Sequence, residues 1–420
     1  MKARETVKNY PSKLRESTNF AYRTIKAVCK NIGPRAPGSE NETKAQEFFA
    51  DELRKTCDNV EIEEFPVHPA AFLSWVPICA LLLTLAALAI NFGFGLLSLV
   101  FVLLSYLALI GEFVLYKPML DPFFKKKISR NVIGVRKASA QAQRRIIFCG
   151  HCDSSNEWRF THLGGHILLK LVLGASVAAF IYGLVVSVIA IARGYAFNFT
   201  LFNADDKLLK ILGYIFLALV PFFFIASFFE NRKLTVIGAN DNLTGSLASA
   251  AITRFMHDND IRFENTEVCV LISGSEEAGL RGAKDYCAKH ADELKKIETV
   301  FCAVDTLKDL DHIAVYNRDM SGLVKHSASA CALLKKGGEI AGVDLPYQTV
   351  SLGSSDAAAA TQAGLHATTL AAMDPLPARY YHTRRDTEEL LDIKSIETGI
   401  DIMLETAFLF DEAGLKESYD

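Results

Sequence analysis

The sequence predicts an α/β protein with a mixed, mostly parallel sheet flanked by helices, interrupted by two transmembrane helical hairpins. Three observations carry this reading. Short apolar runs rich in Val, Ile and Phe alternate with stretches of helical period, the pattern of repeated βα units. Residues with metal-ligand or acid–base chemistry fall just past several of those runs, where ligands of open α/β sheets gather. Three long stretches carry no charged side chain at all, the first long enough for two membrane crossings.

In chain order, 17–30 and 43–56 have apolar residues three and four apart and read as helices. The Pro/Gly/Ser loop IGPRAPGSENET lies between them. Val60–Val67 alternates and reads as a strand. Ala71–Gly111 contains no Asp, Glu, Lys or Arg, and its 41 residues suffice for two crossings at about 20 residues each. The break at Asn91–Gly95 gives helices near 72–90 and 95–116. Strands resume at Asn131–Val135 and Arg145–Cys149. Leu171–Ala192 and Ile211–Phe229 are uncharged again and form the second hairpin. Further strands are expected at Leu234–Ile237, Val268–Ile272, Val300–Val304, Ile313–Tyr316, Gln348–Leu352 and Ala367–Ala372, with helices to about His257 and over 393–412. The hairpins thus interrupt one discontinuous domain of residues 1–70, 117–165 and 230–420, the insertions being 71–116 and 166–229.

Composition bounds the function. The 420 residues carry a formal net charge of −3 and no long basic run, so nucleic acid is not indicated as a partner. Nine scattered cysteines do not make a disulfide framework and suit a reducing compartment. The polar start MKARETVKNYPSKLRES is not a cleaved signal peptide. Lys125, Lys126, Lys127, Arg130, Arg144, Arg145, Arg232 and Lys233 lie on one side of the four spans, against Arg193 and Lys207 on the other. The bias predicts an integral membrane protein with its polar mass in the cytoplasm. Asn198-Phe-Thr200 matches a glycosylation acceptor on the far side, a pattern too short to carry weight.

The chemistry centres on SGSEEAGLRG, Ser273–Gly282, which sets Glu276 and Glu277 side by side past an apolar run. Two adjacent acids there need a cation, a shared proton or open water. His151 and Asp153, Asp241, Asp305 and His382 occupy comparable places after other expected strands. Two imidazoles and several carboxylates suit Zn²⁺, Co²⁺ or Mn²⁺ better than Ca²⁺. They exceed what one catalytic zinc takes and suit two metals about 3.5–4 Å apart sharing a carboxylate. One acid left free of metal would then serve as general base.

Taken in order, IGPRAPGSENE, GHCDSS, GANDNLTG, SGSEEAGLRGA, AVDT, SSDAAAATQAG and YYHTRRDT resemble the M28 family of dinuclear zinc peptidases, which are aminopeptidase-like enzymes. The resemblance covers the soluble segments and not the hairpins. It implies a peptide substrate and two zinc ions, one held by His151, Asp241 and Asp305, the other by Glu277 and His382 with Asp241 bridging. Glu276 would be the base that takes a proton from the bridging water and passes it to the leaving amine. Asp153 would orient His151, and Tyr381 would donate to the oxyanion. A cis peptide between Asp241 and Asn242 is also implied. Asp386, four residues after His382, reads as an orienter of that loop, and Asp356 as a supporting or capping residue. The chain departs from the family between His151 and Asp241, which lie 90 positions apart with the second hairpin between them. That insertion suggests apolar or membrane-associated peptides as substrates.

Two other readings compete. Cys149-Gly-His-Cys152 has the spacing of a redox motif, although such a motif normally opens a helix. A non-enzymatic scaffold or transporter on a peptidase-like domain is the second, but the apolar helices carry few ionisable groups, Glu112 being the main one.

Overall fold

The computed structural model describes residues 2–197, 206–376 and 378–419, so the Asn198 acceptor lies outside the described residues. The chain divides into two compact units, one of Met1–Pro69, Lys126–Asn156 and Thr235–Asp420, the other of Ala70–Lys125 and Glu157–Leu234.

The first unit is built on a nine-stranded sheet. Its strands are β1 (Asn59–Val67), β2 (Lys127–Arg136), β3 (Arg144–His151), β6 (Thr266–Ser273), β7 (Glu298–Leu307), β8 (Ile313–Asp319), β9 (Val324–Lys325), β10 (Tyr347–Thr349) and β11 (His366–Ala372). The two remaining strands, β4 (Asn156–Trp158) and β5 (Glu230–Thr235), pair only with each other. The order is β1-β2-β6-β3-β7-β11-β8-β10, with β9 beside β8. The central strands β6, β3, β7 and β11 run parallel, while β1–β2, β2–β6 and β8–β11 are antiparallel. Successive side chains of each central strand enter opposite layers. Ile146, Phe148, Val270 and Val304 pack with the helices Tyr10–Asn31, Leu243–Asp258 and Ile393–Ala413. Ile147, Cys149, Leu271 and Phe301 pack with Arg281–Leu294 and Asp356–Gln362 on the other face. Burial on both faces explains why these strands read as continuous apolar runs rather than alternating ones.

One expected strand is absent from this sheet. The composition of Leu234–Ile237 predicts a sheet strand before Asp241, but β5 ends at Thr235 and pairs with β4. Both edges of β3 are already taken by β6 and β7, which leaves no place beside it. The expected strand at Gln348–Leu352 shrinks to Tyr347–Thr349.

In the second unit, four helices are long and apolar enough to cross a membrane: Phe72–Asn91, Gly95–Val114, Arg159–Ala192 and Lys207–Ala226. The third starts earlier than its uncharged run, and a non-helical residue, Gly165, breaks it. The fourth is interrupted at Leu219, just before Pro221, whose ring cannot continue the ladder. Large apolar side chains such as Leu81, Leu103, Leu171, Ile211 and Phe224 are exposed along these helices. Where the helices meet one another, polar groups join an apolar cluster that includes Leu83, Val102, Phe180 and Phe216. Ser98 and Ser187 share a hydrogen bond at 2.8 Å, and Asn91 Nδ2 donates to the Gly213 carbonyl at 2.9 Å.

Helix Leu243–Asp258 starts against the end of β7. Asn242 caps it, accepting from Gly245 N–H at 2.9 Å and donating to the Val304 carbonyl at 2.8 Å. A methyl group at Gly245 would overlap the Val304 carbonyl oxygen and Asn242 Oδ1. Gly245→Ala is therefore expected to destabilise the chain by about 2 kcal/mol or more, read as a lower denaturant midpoint.

Candidate metal centre

Four adjacent parallel strands end at one rim, and the candidate residues come from those ends and the loops beyond. His151 is the last residue of β3, opposite Ser273 of β6. Past β6, Gly274 and Ser275 turn the chain, Ser275 at a left-handed φ of 51°, and deliver Glu276 and Glu277. Asp305 lies near the end of β7, paired with Ala371 of β11. His382 sits in the loop beyond β11, also left-handed at φ 51°. Asp241 comes from the turn before the helix at Leu243, not from a strand end, and the Asp241–Asn242 peptide is cis.

These side chains converge. Asp241 Oδ1 is 3.2 Å from His151 Nε2, and its Oδ2 is 3.0 Å from His382 Nε2. Glu277 Oε1 is 3.2 Å from the same His382 nitrogen. Glu276 Oε2 is 3.9 Å from His151 Nε2. Ligand atoms of His151, Asp241 and Asp305 lie within 4.8 Å of one another, as do those of Asp241, Glu277 and His382, and those of His151, Glu276 and Glu277. Asp241 belongs to two of these sets and faces a different imidazole with each oxygen.

The electrostatics ask for cations. Burial first, then the neighbouring acids, push Glu276 and Glu277 upward and Asp305 up to about 7. Burial alone would do the same to Asp241, but His151 and His382 outweigh it and hold that carboxyl low. Burial would lower His382, yet Glu277 and Asp241 raise it to about 10, and His151 is raised likewise by Glu276 and its neighbours. Asp241 Oδ2 and Glu277 Oε1 are buried with no hydrogen-bond donor in bonding geometry, although His382 Nε2 is near both. Two imidazoles facing buried carboxylates, with two of those oxygens left without a donor beside His382, form a donor set of the kind that holds a borderline divalent cation such as zinc.

A frame of further side chains holds the rim. Asp153 accepts from the backbone N–H of both Glu276 and Glu277 at 3.0 Å, and its Oδ1 lies 3.4 Å from His151 Nδ1. It therefore fixes the acidic turn and stands beside the imidazole. Asp386 accepts from Asn240 N–H at 2.9 Å, Asn240 Nδ2 at 2.7 Å and Asp241 N–H at 3.0 Å, so it orients the Asp241 turn rather than only its own loop. Asp356 accepts from Ser273 Oγ and Cys149 Sγ, between the ends of β6 and β3. Tyr381 stacks on His382 with ring centroids 3.9 Å apart and, with Asp305, lines a neighbouring cavity.

Two members of the frame escaped sequence reasoning. Arg35, fully buried, spends its guanidinium on the carbonyls of Cys152, Gly33, Ile237 and Gly238, tying the chain after His151 to the chain before Asp241. Glu42, also buried and raised to about 8 by burial and Asp153, accepts from Ser275 N–H and Oγ at 2.6 and 2.9 Å. The only trace in the sequence is an arginine between two prolines in IGPRAPG, and an acid four residues past Gly38. The CxxC does not have the setting of a redox pair. Cys149 lies within β3, both thiols are wholly buried, and burial pushes both well up.

Comparison with known proteins bears on this geometry. Residues 224–407 match the model of Peptidase family M28, a stretch that carries Asp241, Glu276, Glu277, Asp305 and His382. An aminopeptidase from Aneurinibacillus sp. strain AM-1 superposes with a TM-score of 0.56 at 14% identity, over 94% of this chain and 95% of its own. BSAP, a zinc aminopeptidase from Bacillus subtilis, gives 0.55 at 14% identity, over 96% of each chain. A glutaminyl cyclase from an Acidobacteriales bacterium gives 0.55 at 13%, over 95% and 96%. At such identities the likeness is one of fold. Among curated proteins no sequence match is found. The family match, over less than half of the chain, points to a peptidase of this kind, and the neighbours add the fold.

Two outcomes follow from the frame and the charges. Asp386→Asn puts an amide group where three donors now converge, and zinc affinity is expected to fall about 10- to 100-fold, measured by chelator competition. Metal binding must also displace the proton that Glu277 and Asp241 keep on His382 up to about pH 10. Lowering the pH therefore weakens zinc binding, by about tenfold per unit or more between roughly pH 8 and 6, read by the same competition.

Proposed function

We propose that the chain is a membrane-embedded dinuclear zinc metallo-exopeptidase of the M28 kind, acting as an aminopeptidase. The observation that carries this is the carboxylate of Asp241, set between His151 and His382 with Glu276 alongside. His151, Asp241 and Asp305 would hold one ion, and Asp241, Glu277 and His382 the other. Zinc is the first choice, and Co²⁺ or Mn²⁺ would fit the same donors. When bound, the pair supplies Lewis acidity to the scissile carbonyl and lowers the pKa of water.

The protein's own groups do the rest. Glu276 is the member of the cluster assigned to protons rather than to metal. Burial and its acidic neighbours raise it above an ordinary carboxylate, the direction that suits a group taking a proton from water and returning it to the departing amine. Tyr381, kept protonated by burial, is the donor for the oxyanion. Beside Asp305 and Tyr381 lies a cavity of about 70 Å³ lined by Tyr316, Val350, Leu352, Ala371 and Met373. Among its described lining residues Asp374 and Asp305 are charged and none is basic, which disfavours an acidic substrate side chain.

The four apolar helices would cross the bilayer in two hairpins, with the metal-binding unit in the cytoplasm. The second hairpin is inserted between His151 and Asp241, which supports peptides that are apolar or membrane-associated as the natural substrates. Glu112 in the first hairpin holds a backbone N–H, an architectural task that does not favour a transport path.

The test is Glu276→Gln. The variant should stay folded and keep its zinc while hydrolysis of leucyl and methionyl substrates falls about 10²- to 10⁴-fold. Wild-type protein should cleave these well ahead of aspartyl and glutamyl analogues. A chain that hydrolyses none of them but cyclises an N-terminal glutamine would move the reading to the cyclase neighbours.

A further inference from the structure

The first pair of apolar helices ends in a built loop rather than a loose connection. Past the helix that closes at Val114, the chain turns at Tyr116, left-handed at φ 50°, and folds back. Lys117 N–H donates to the Gly111 carbonyl at 2.8 Å, and Leu120 N–H donates to the wholly buried Glu112 carboxylate. The Met119 side chain lies over Gly111, where a β-carbon would overlap its sulfur. Pro118 and Pro122 fix two more backbone angles.

This held loop presents an unusual surface. Phe123 is 80% exposed, the most exposed large apolar side chain among the described residues, and Leu115 and Met119 are exposed as well. Lys117 and Lys125 are exposed, and Lys126 and Lys127 follow directly in the chain, exposed too. None of the four lysines makes an ion pair among the described residues. The one acid between Phe113 and Lys127 is Asp121. A surface facing only water gains nothing by holding an aromatic ring out on a rigid loop. A bilayer boundary takes both features: a ring at the level of the head groups, and ammonium groups against phosphate.

We propose that the loop 115–127 is a binding site for anionic phospholipid head groups, with Phe123 entering the acyl boundary and Lys117, Lys125, Lys126 and Lys127 holding the phosphates. The site rests on the reading that the apolar helices span a bilayer. Its effect is to select the lipid around the enzyme, and with it the leaflet at which this end of the hairpin rests.

The experiment reconstitutes the full chain in nanodiscs of phosphatidylcholine alone or mixed with phosphatidylserine, and counts retained lipid by native mass spectrometry. Wild-type protein should retain phosphatidylserine in preference. The combined variant Lys117→Gln, Lys125→Gln, Lys126→Gln, Lys127→Gln should lose that preference on the order of a hundredfold. It should cleave a soluble aminoacyl substrate at the wild-type rate, which establishes its fold. Phe123→Ser should weaken retention of both lipids. An unchanged serine-lipid preference in the combined variant overturns the site. A chain that stays monodisperse without detergent and does not enter nanodiscs overturns the membrane reading along with it; entry without lipid preference overturns the site alone.

Discussion

One carboxylate facing two imidazoles is the constraint on which the rest of the rim depends. Asp241 is 4% exposed, and its two oxygens look in different directions, at His151 and at His382. Around it stand Glu276, Glu277 and Asp305, with Asp153, Asp356 and Asp386 behind them. So many acids gathered out of water are costly unless cations or hydrogen bonds answer each oxygen. Asp153 and Asp386 are answered by backbone N–H groups and the Asn240 amide, while Asp356 accepts from a hydroxyl and a thiol on one oxygen and has no donor on the other. The inner ones are answered by two imidazoles and leave oxygens over, which is where the demand for metal arises.

The frame behind the rim has a common logic. Each inner residue comes from a different segment, so each has to be held against its neighbours by something that spans segments. Asp153 joins the end of β3 to the turn after β6. Asp386 joins the His382 loop to the Asp241 turn. Arg35 joins the chain on either side of the long excursion between His151 and Asp241. Without Arg35 the four carbonyls it serves would face one another with no donor between them, a loss large for a buried site. This placement explains how a stretch of 90 positions can separate two residues whose side chains end 3.2 Å apart.

Much of this was legible in the sequence, and the parts that were not share a cause. The apolar helices announce themselves by composition, which is local. The residues at the rim announce themselves as acids and histidines in Gly-rich turns after apolar runs, again local. Arg35 and Glu42 look like ordinary surface residues in a loop and a helix, because their roles lie in contacts with segments more than 100 positions away. Leu234–Ile237 has the composition of a strand, and its first two residues do end β5, but the partner is β4 rather than the main sheet, where β3 is already paired on both edges. Propensity reports what a segment can do; whether a place is free is a property of the whole sheet.

The most direct test counts metal. If Asp241 is shared, purified chain should hold about two zinc ions, His382→Ala about one, and Asp241→Ala close to none, by elemental analysis of folded protein. An Asp241→Ala variant that keeps as much zinc as His382→Ala would contradict the sharing of one carboxylate between two cations, and with it the account of this centre.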